Sequence, residues 1–134
     1  MLKKIDHIGV AVQSLEQVKG LFAAVFGLEP EFEETVEEQK VRAAGFRIGE
    51  SKIEFLEPTS PESPIAKFLE KRGEGLHHVA LSVDDIVAVL GKMKAQGLRL
   101  IDEAPRTGAE GKKIAFVHPK SVSGILLELS QENS

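Results

Sequence analysis

The chain has 134 residues, 42% hydrophobic and 28% charged, with a formal net charge of −4 and no cysteine. That length and balance fit one globular domain with a true core; the lack of a basic stripe excludes a general nucleic-acid binder, and the lack of cysteine excludes disulfides and thiolate metal sites. No stretch approaches the ~20 apolar residues of a membrane span, and the apolar run in MLKKIDHIGVAV is too short for a signal peptide, so a cytoplasmic protein with no membrane partner is expected.

The first strand is predicted at Ile5 to Val12, IDHIGVAV. Ser14-Leu-Glu-Gln17 then has capping-box spacing and opens a helix through Val18, Leu21, Phe22 and Val25, stopped by Gly27. Three strand-like pieces follow at Leu28 to Val36, Lys40 to Ile48 and Lys52 to Glu57. Ser63 and Pro64 start a short linking helix to about Lys71, ended by Gly73 and Gly75.

The order then begins again. His77 to Val83, HHVALSV, matches the first strand with His78 on His7, Val79 on Ile8, Leu81 on Val10 and Val83 on Val12. Asp84 or Asp85 caps a helix through Ile86, Val89, Leu90 and Met93, stopped by Gly97. Strands are predicted at Leu98 to Glu103, Lys113 to Val117 and Gly124 to Leu129. The repeat predicts an α+β domain over 1–134. Two tandem βαβββ modules, at 1–60 and 76–134, are joined by a linking helix at 61–75, and form a curved mixed sheet with helices on its outer face.

Alternation along a strand decides which residues share a face. Ile8, Val10 and Val12 in one half, and Val79, Leu81 and Val83 in the other, are assigned to the helix side. His7 and His78 then face away, followed only by Gly9 and Ala11, or Ala80 and Ser82, which leaves room for a pocket. His77 falls on the helix side or at the strand mouth, a structural place. In KIEFLEP and GILLELS, Glu54 and Glu128 each interrupt an apolar alternation and fall on the histidine face. A carboxylate there is costly unless it is paired or binds a metal. Two imidazoles and two carboxylates suit Zn²⁺, Co²⁺, Ni²⁺ or Mn²⁺. The competing reading is of polar residues on a half-exposed sheet and edge-strand charges that discourage aggregation. Glu31, Glu33, Glu34, Glu37, Glu38 and Glu57 read as solvated surface charge.

The passages IDHIGVAV, EFLEPTSPESPIAKFLEKRGEGLHHVAL and FVHPKSVSGILLEL, and the duplicated plan, resemble the vicinal oxygen chelate superfamily and, within it, the methylmalonyl-CoA epimerases. The resemblance covers nearly the whole chain. It implies a divalent ion, cobalt first, on His7, Glu54, His78 and Glu128; the Glu54 position holds glutamine in some epimerases. It also implies an acyl-CoA thioester substrate, interconversion of (2R)- and (2S)-methylmalonyl-CoA, and a homodimer. Glu128 is assigned as the proton-transferring group on one face. In some epimerases a second acid/base glutamate lies in the segment matching QKVRAA, about where Ala43 stands here, and an alanine cannot do that work. Gln39, Lys113, His118 and Lys120 are the candidates for contacts with substrate, with Lys112, Lys71 and Arg72 as further cations near the CoA phosphates. Glyoxalase I, with a similar ligand set, and a metal-free small-molecule binder of the same superfamily are the alternatives. A dioxygenase, whose iron site usually takes two histidines and one carboxylate, fits less well.

Overall fold

The computed structural model describes residues 1–132. The elements run β1 (Leu2–Ala11), α1 (Leu15–Phe26), β2 (Phe32–Val36), β3 (Val41–Ile48), β4 (Ser51–Pro58), α2 (Pro64–Arg72), β5 (Gly75–Val83), α3 (Ile86–Ala95), β6 (Arg106–Thr107), β7 (Lys113–Val117) and β8 (Leu127–Gln131). They fall into two bodies, one of residues 8–77 and the other of residues 1–7 with residues 78–132. Strand β1 therefore contributes its last residues to one body and its first to the other.

In the body of residues 8–77 the strand order is β2-β3-β4 followed by β1. The β2–β3 and β3–β4 pairings are antiparallel, with Phe32 opposite Gly45 and Gly45 opposite Glu54. Helix α1 begins where the Ser14 hydroxyl accepts from the Gln17 N–H at 3.2 Å. It ends at Gly27, whose φ of 64° is open to glycine at no steric cost. Leu15, Val18 and Phe22 of the helix pack against Val10 of β1, Val12 just after it, Ala44 and Phe46 of β3, and Ile53 and Phe55 of β4. Phe22, Phe46 and Phe55 meet at 4.6 to 5.8 Å between ring centroids, within the range of favourable aromatic contacts. The expected helix stripe is narrower than its apolar residues. Leu21 and Val25 lie to one side of it and stay exposed.

In the other body the order is β1-β5-β8-β7-β6. Strands β5 and β8 are parallel with Ala80 opposite Glu128, and β7 is antiparallel to β8 with Phe116 opposite Glu128. Asp85, rather than Asp84, caps α3 by accepting from the Ala88 N–H at 3.1 Å. Its Ile86, Val89, Leu90 and Met93 pack on Leu81, Val83, Ala115, Val117, Leu127 and Leu129. The parity assignments hold in both bodies except at Ile8 and Val79, which lie outside the two clusters.

Three strand assignments are corrected, the first being Leu28 to Val36, which is a strand only over Phe32–Val36. Leu98 to Glu103 forms no strand; only Leu100 bridges to Val117, and the edge strand is the two residues Arg106–Thr107 that follow Pro105. Proline has no N–H for a ladder, so pairing starts after it. Strand β8 begins at Leu127, because Ser123 and Gly124 take positive φ in a turn closed by Ile125 N–H to the Val122 carbonyl. Glu57 is not solvated surface charge: its Oε1 accepts from the Leu15 N–H at 2.9 Å, on the first turn of α1. Gln131 does the same for α3, accepting from the Ile86 N–H at 2.7 Å. Each of these residues lies three places after the sheet glutamate of its half.

Candidate metal centre

Three buried side chains converge. His7 leaves β1, His78 leaves β5 and Glu128 leaves β8, each no more than 5% exposed. The Nε2 atoms of His7 and His78 are 3.0 Å apart, with the rings edge-on at 88°. Glu128 Oε1 lies 3.1 Å from His78 Nε2 and 3.7 Å from His7 Nε2. Phe116, opposite Glu128 on β7, meets the His78 ring edge at 5.6 Å between centroids and walls the cluster with apolar surface.

The hydrogen bonding fixes what these atoms offer. His7 Nδ1 lies 2.7 Å from Asp6 Oδ2. Facing an ionised carboxylate, Nδ1 carries the proton and donates it, which leaves Nε2 as a bare lone pair. That lone pair points at a second imidazole nitrogen and at a carboxylate oxygen, so three acceptor atoms share at most one proton. One divalent cation satisfies all three, and the neutral-imidazole and carboxylate donor set is that of a borderline transition ion. The residues present therefore fit a divalent metal.

Burial pushes the Glu128 carboxyl up, but the His7 and His78 rings against it outweigh that and hold the group at about 2. The carboxylate is thus ionised at neutral pH, as a ligand must be.

Glu54 is buried on β4 in the other body, opposite Gly45 and on the face away from the aromatic core, as its parity predicts. His77 meets Phe68 of α2 edge-on at 5.0 Å, a packing role. Ala43 is buried opposite Leu56. The Gln39 carbonyl accepts from Ser63 Oγ at 3.4 Å. His118 Nδ1 accepts from the Lys120 N–H at 3.1 Å, capping a short turn. Desolvation and the nearby Arg99 and Lys120 lower its pKa. Lys113 and Lys120 are exposed. Lys112 is turned inward, its Nζ 3.4 and 3.5 Å from the two oxygens of Asp6. Sequence reasoning missed Asp6. Parity sets it opposite His7, and only its place directly before a candidate ligand could have flagged it as the carboxylate that orients the ring.

The model of the Glyoxalase/Bleomycin resistance protein/Dioxygenase superfamily matches residues 6–116. The chain is similar to the uncharacterized protein YqjC of Bacillus subtilis (strain 168), 44% identical over 97% of this chain and 93% of that protein. It is similar to the mitochondrial methylmalonyl-CoA epimerase of Dictyostelium discoideum, 36% identical over 96% of this chain and 78% of that protein. Among solved structures it is similar to a variant of Streptomyces coelicolor methylmalonyl-CoA epimerase in complex with 2-nitronate-propionyl-CoA. That match has 37% identity and a TM-score of 0.95, over 100% of this chain and 97% of that one. By its α+β fold and these likenesses, the chain belongs to the Glyoxalase/Bleomycin resistance protein/Dioxygenase superfamily and, within it, to the methylmalonyl-CoA epimerase family.

Proposed function

We propose that this protein interconverts (2R)- and (2S)-methylmalonyl-CoA using a bound divalent ion, Co²⁺ first, with Mn²⁺, Ni²⁺ or Zn²⁺ as substitutes. The observation that carries the reading is the meeting of His7, His78 and Glu128 in one buried cluster, in a chain alike along nearly its whole length to epimerases. Glu54 is assigned as the fourth ligand, by its equivalence to Glu128 in the repeat. When bound, the ion supplies Lewis-acid stabilisation of the charge that develops on the thioester oxygen as the α-proton leaves.

The remaining chemistry belongs to the side chains. His7 and His78 hold the site through Nε2, His7 with its tautomer set by Asp6. Glu128 takes the α-proton on one face of the substrate. While it is held against both imidazoles it is a weak base, so it must loosen from them as the acyl group enters. Inversion then needs delivery of a proton from the other face, since one fixed base returns a proton to the side it came from. Ala43 has no group to give one, and a water, the Gln39 side chain or another carboxylate must serve. Gln39, Lys113, His118 and Lys120 remain the candidates for substrate contacts, a homodimer is the proposed assembly, and the cytoplasm the proposed location. Among the described residues no helix is long and apolar enough to cross a membrane.

The test is exchange of the α-proton of methylmalonyl-CoA in deuterated water, with Co²⁺-loaded and chelated protein. The expected result is exchange at that carbon that is lost on chelation. Absence of exchange, with thioester formed instead from a glutathione hemithioacetal, would replace the proposal with glyoxalase I chemistry. No turnover and no metal uptake would leave a binding module.

A further inference from the structure

The carboxylate behind His7 is itself held. Asp6 is 1% exposed, and a buried carboxylate is costly unless its charge is matched. The Lys112 ammonium lies 3.4 Å from Asp6 Oδ1 and 3.5 Å from Oδ2, while Oδ2 also accepts from the His7 Nδ1–H at 2.7 Å. The Lys112 side chain is only 13% exposed, and its Nζ also lies 3.7 Å from Glu110. The loop that delivers it is tightly formed. Gly108 N–H donates to the Lys112 carbonyl at 2.9 Å, and Gly111 N–H to the Gly108 carbonyl at 3.2 Å. Glu110 and Gly111 both take positive φ, 60° and 70°. At Gly108 a Cβ would come within 2.8 Å of Ile114, so the loop lies flush on β7. Such a loop presents Lys112 inward at a fixed place rather than leaving it in solvent.

From this chain of contacts we infer that Lys112 is a positioning residue for the proposed metal site. By holding Asp6 in place and matching its charge, it keeps the His7 ring turned with Nδ1–H toward Asp6 and Nε2 toward His78 and Glu128. The sequence pattern offers Lys112 only as one of several cations for the CoA phosphates; its contacts set it behind Asp6, the partner of the His7 ring, instead. The inference rests on the metal reading above for its consequence, though not for the Lys112–Asp6–His7 linkage itself. Removing an outer partner of a ligating histidine typically weakens metal binding about 10- to 100-fold.

Two measurements test it on the full chain. In ¹⁵N-histidine-labelled, metal-free protein, the ring nitrogens of His7 report which one carries the proton. Wild type is expected to show the Nδ1–H form, Lys112→Met and Asp6→Asn a mixture or the other form, and Lys112→Arg the wild-type form. Titration with Co²⁺ alone, followed by its visible absorption, is expected to show binding weakened about 10-fold or more in Lys112→Met and Asp6→Asn, and largely recovered in Lys112→Arg. An unchanged His7 tautomer with unchanged Co²⁺ affinity in Lys112→Met overturns the inference. If wild type takes up no Co²⁺, the metal reading fails, and the tautomer alone decides: a shift in Lys112→Met upholds the linkage and no shift overturns it. Should Lys112→Met not fold, Lys112→Gln, which stays polar and loses the charge, is read the same way.

Discussion

The two halves of this chain agree on one face of their strands and differ on the other. Under α1 the core is aromatic, with Phe22, Phe46 and Phe55 in mutual contact. Under α3 it is aliphatic, built from Leu90, Val117, Leu127 and Leu129. The opposite face repeats. His7 and His78 occupy equivalent places on β1 and β5, as do Glu54 and Glu128 on β4 and β8. Cores tolerate many apolar solutions of the right volume, whereas a polar atom that meets one specific partner must stand at one place. The difference teaches which constraint is which: volume under the helices, atom positions on the far side.

That contrast can be broken first at the two glutamates. Glu128→Gln is expected to lower α-proton exchange by about 10²- to 10⁴-fold, the usual worth of a positioned base, with the thermal melt still cooperative. Glu54→Gln, changing the proposed fourth ligand, which need not carry a proton, is expected to lower exchange far less and to show mainly as weaker Co²⁺ binding. Full activity in Glu128→Gln, or equal losses in both, would erase the division of roles.

The two cores come next. Phe46→Ala is expected to cost about 3–5 kcal/mol in urea unfolding and Leu129→Ala about 2–5 kcal/mol, from lost burial and the cavities left behind. A loss below 1 kcal/mol at Phe46 would mean that the aromatic cluster does not hold its half together.

Acid sharpens the comparison on the other face. The folded Glu128 carboxyl, at about 2, lies below its ordinary 4.5. Its contribution to stability is therefore fully present above pH 4.5 and is lost as pH falls toward and through 2. Metal-free wild type should lose melting temperature over that window more steeply than Glu128→Gln. Parallel curves for the two proteins would contradict the hydrogen-bonded cluster. The smallest effects are expected at the caps, where Ser14→Ala and Asp85→Ala should each cost about 1 kcal/mol, nearly alike because both close a first turn in the same way.

Much of this was legible in the sequence, for identifiable reasons. A period-2 alternation is a strong local signal, so the faces of His7, His78, Glu54 and Glu128 could be assigned, and the capping serines and aspartates placed both long helices. What escaped was set by tertiary contact. Leu98 to Glu103 is apolar enough for a strand but finds only one bridge to Val117. Glu57 looks like any charged strand end until its carboxylate meets the Leu15 N–H, 42 residues away. Asp6 and Lys112 stand 106 residues apart, and no periodicity links a buried carboxylate to the one inward lysine of a distant loop.

The central claim is that duplicated strands bring imidazole and carboxylate atoms together to hold one divalent ion. Calorimetric titration of metal-free wild type with Co²⁺ tests it most directly. The account predicts saturation at one ion per chain, abolished in His7→Ala and His78→Ala. No heat of binding in the wild type, or an unchanged isotherm in both alanine variants, would contradict it.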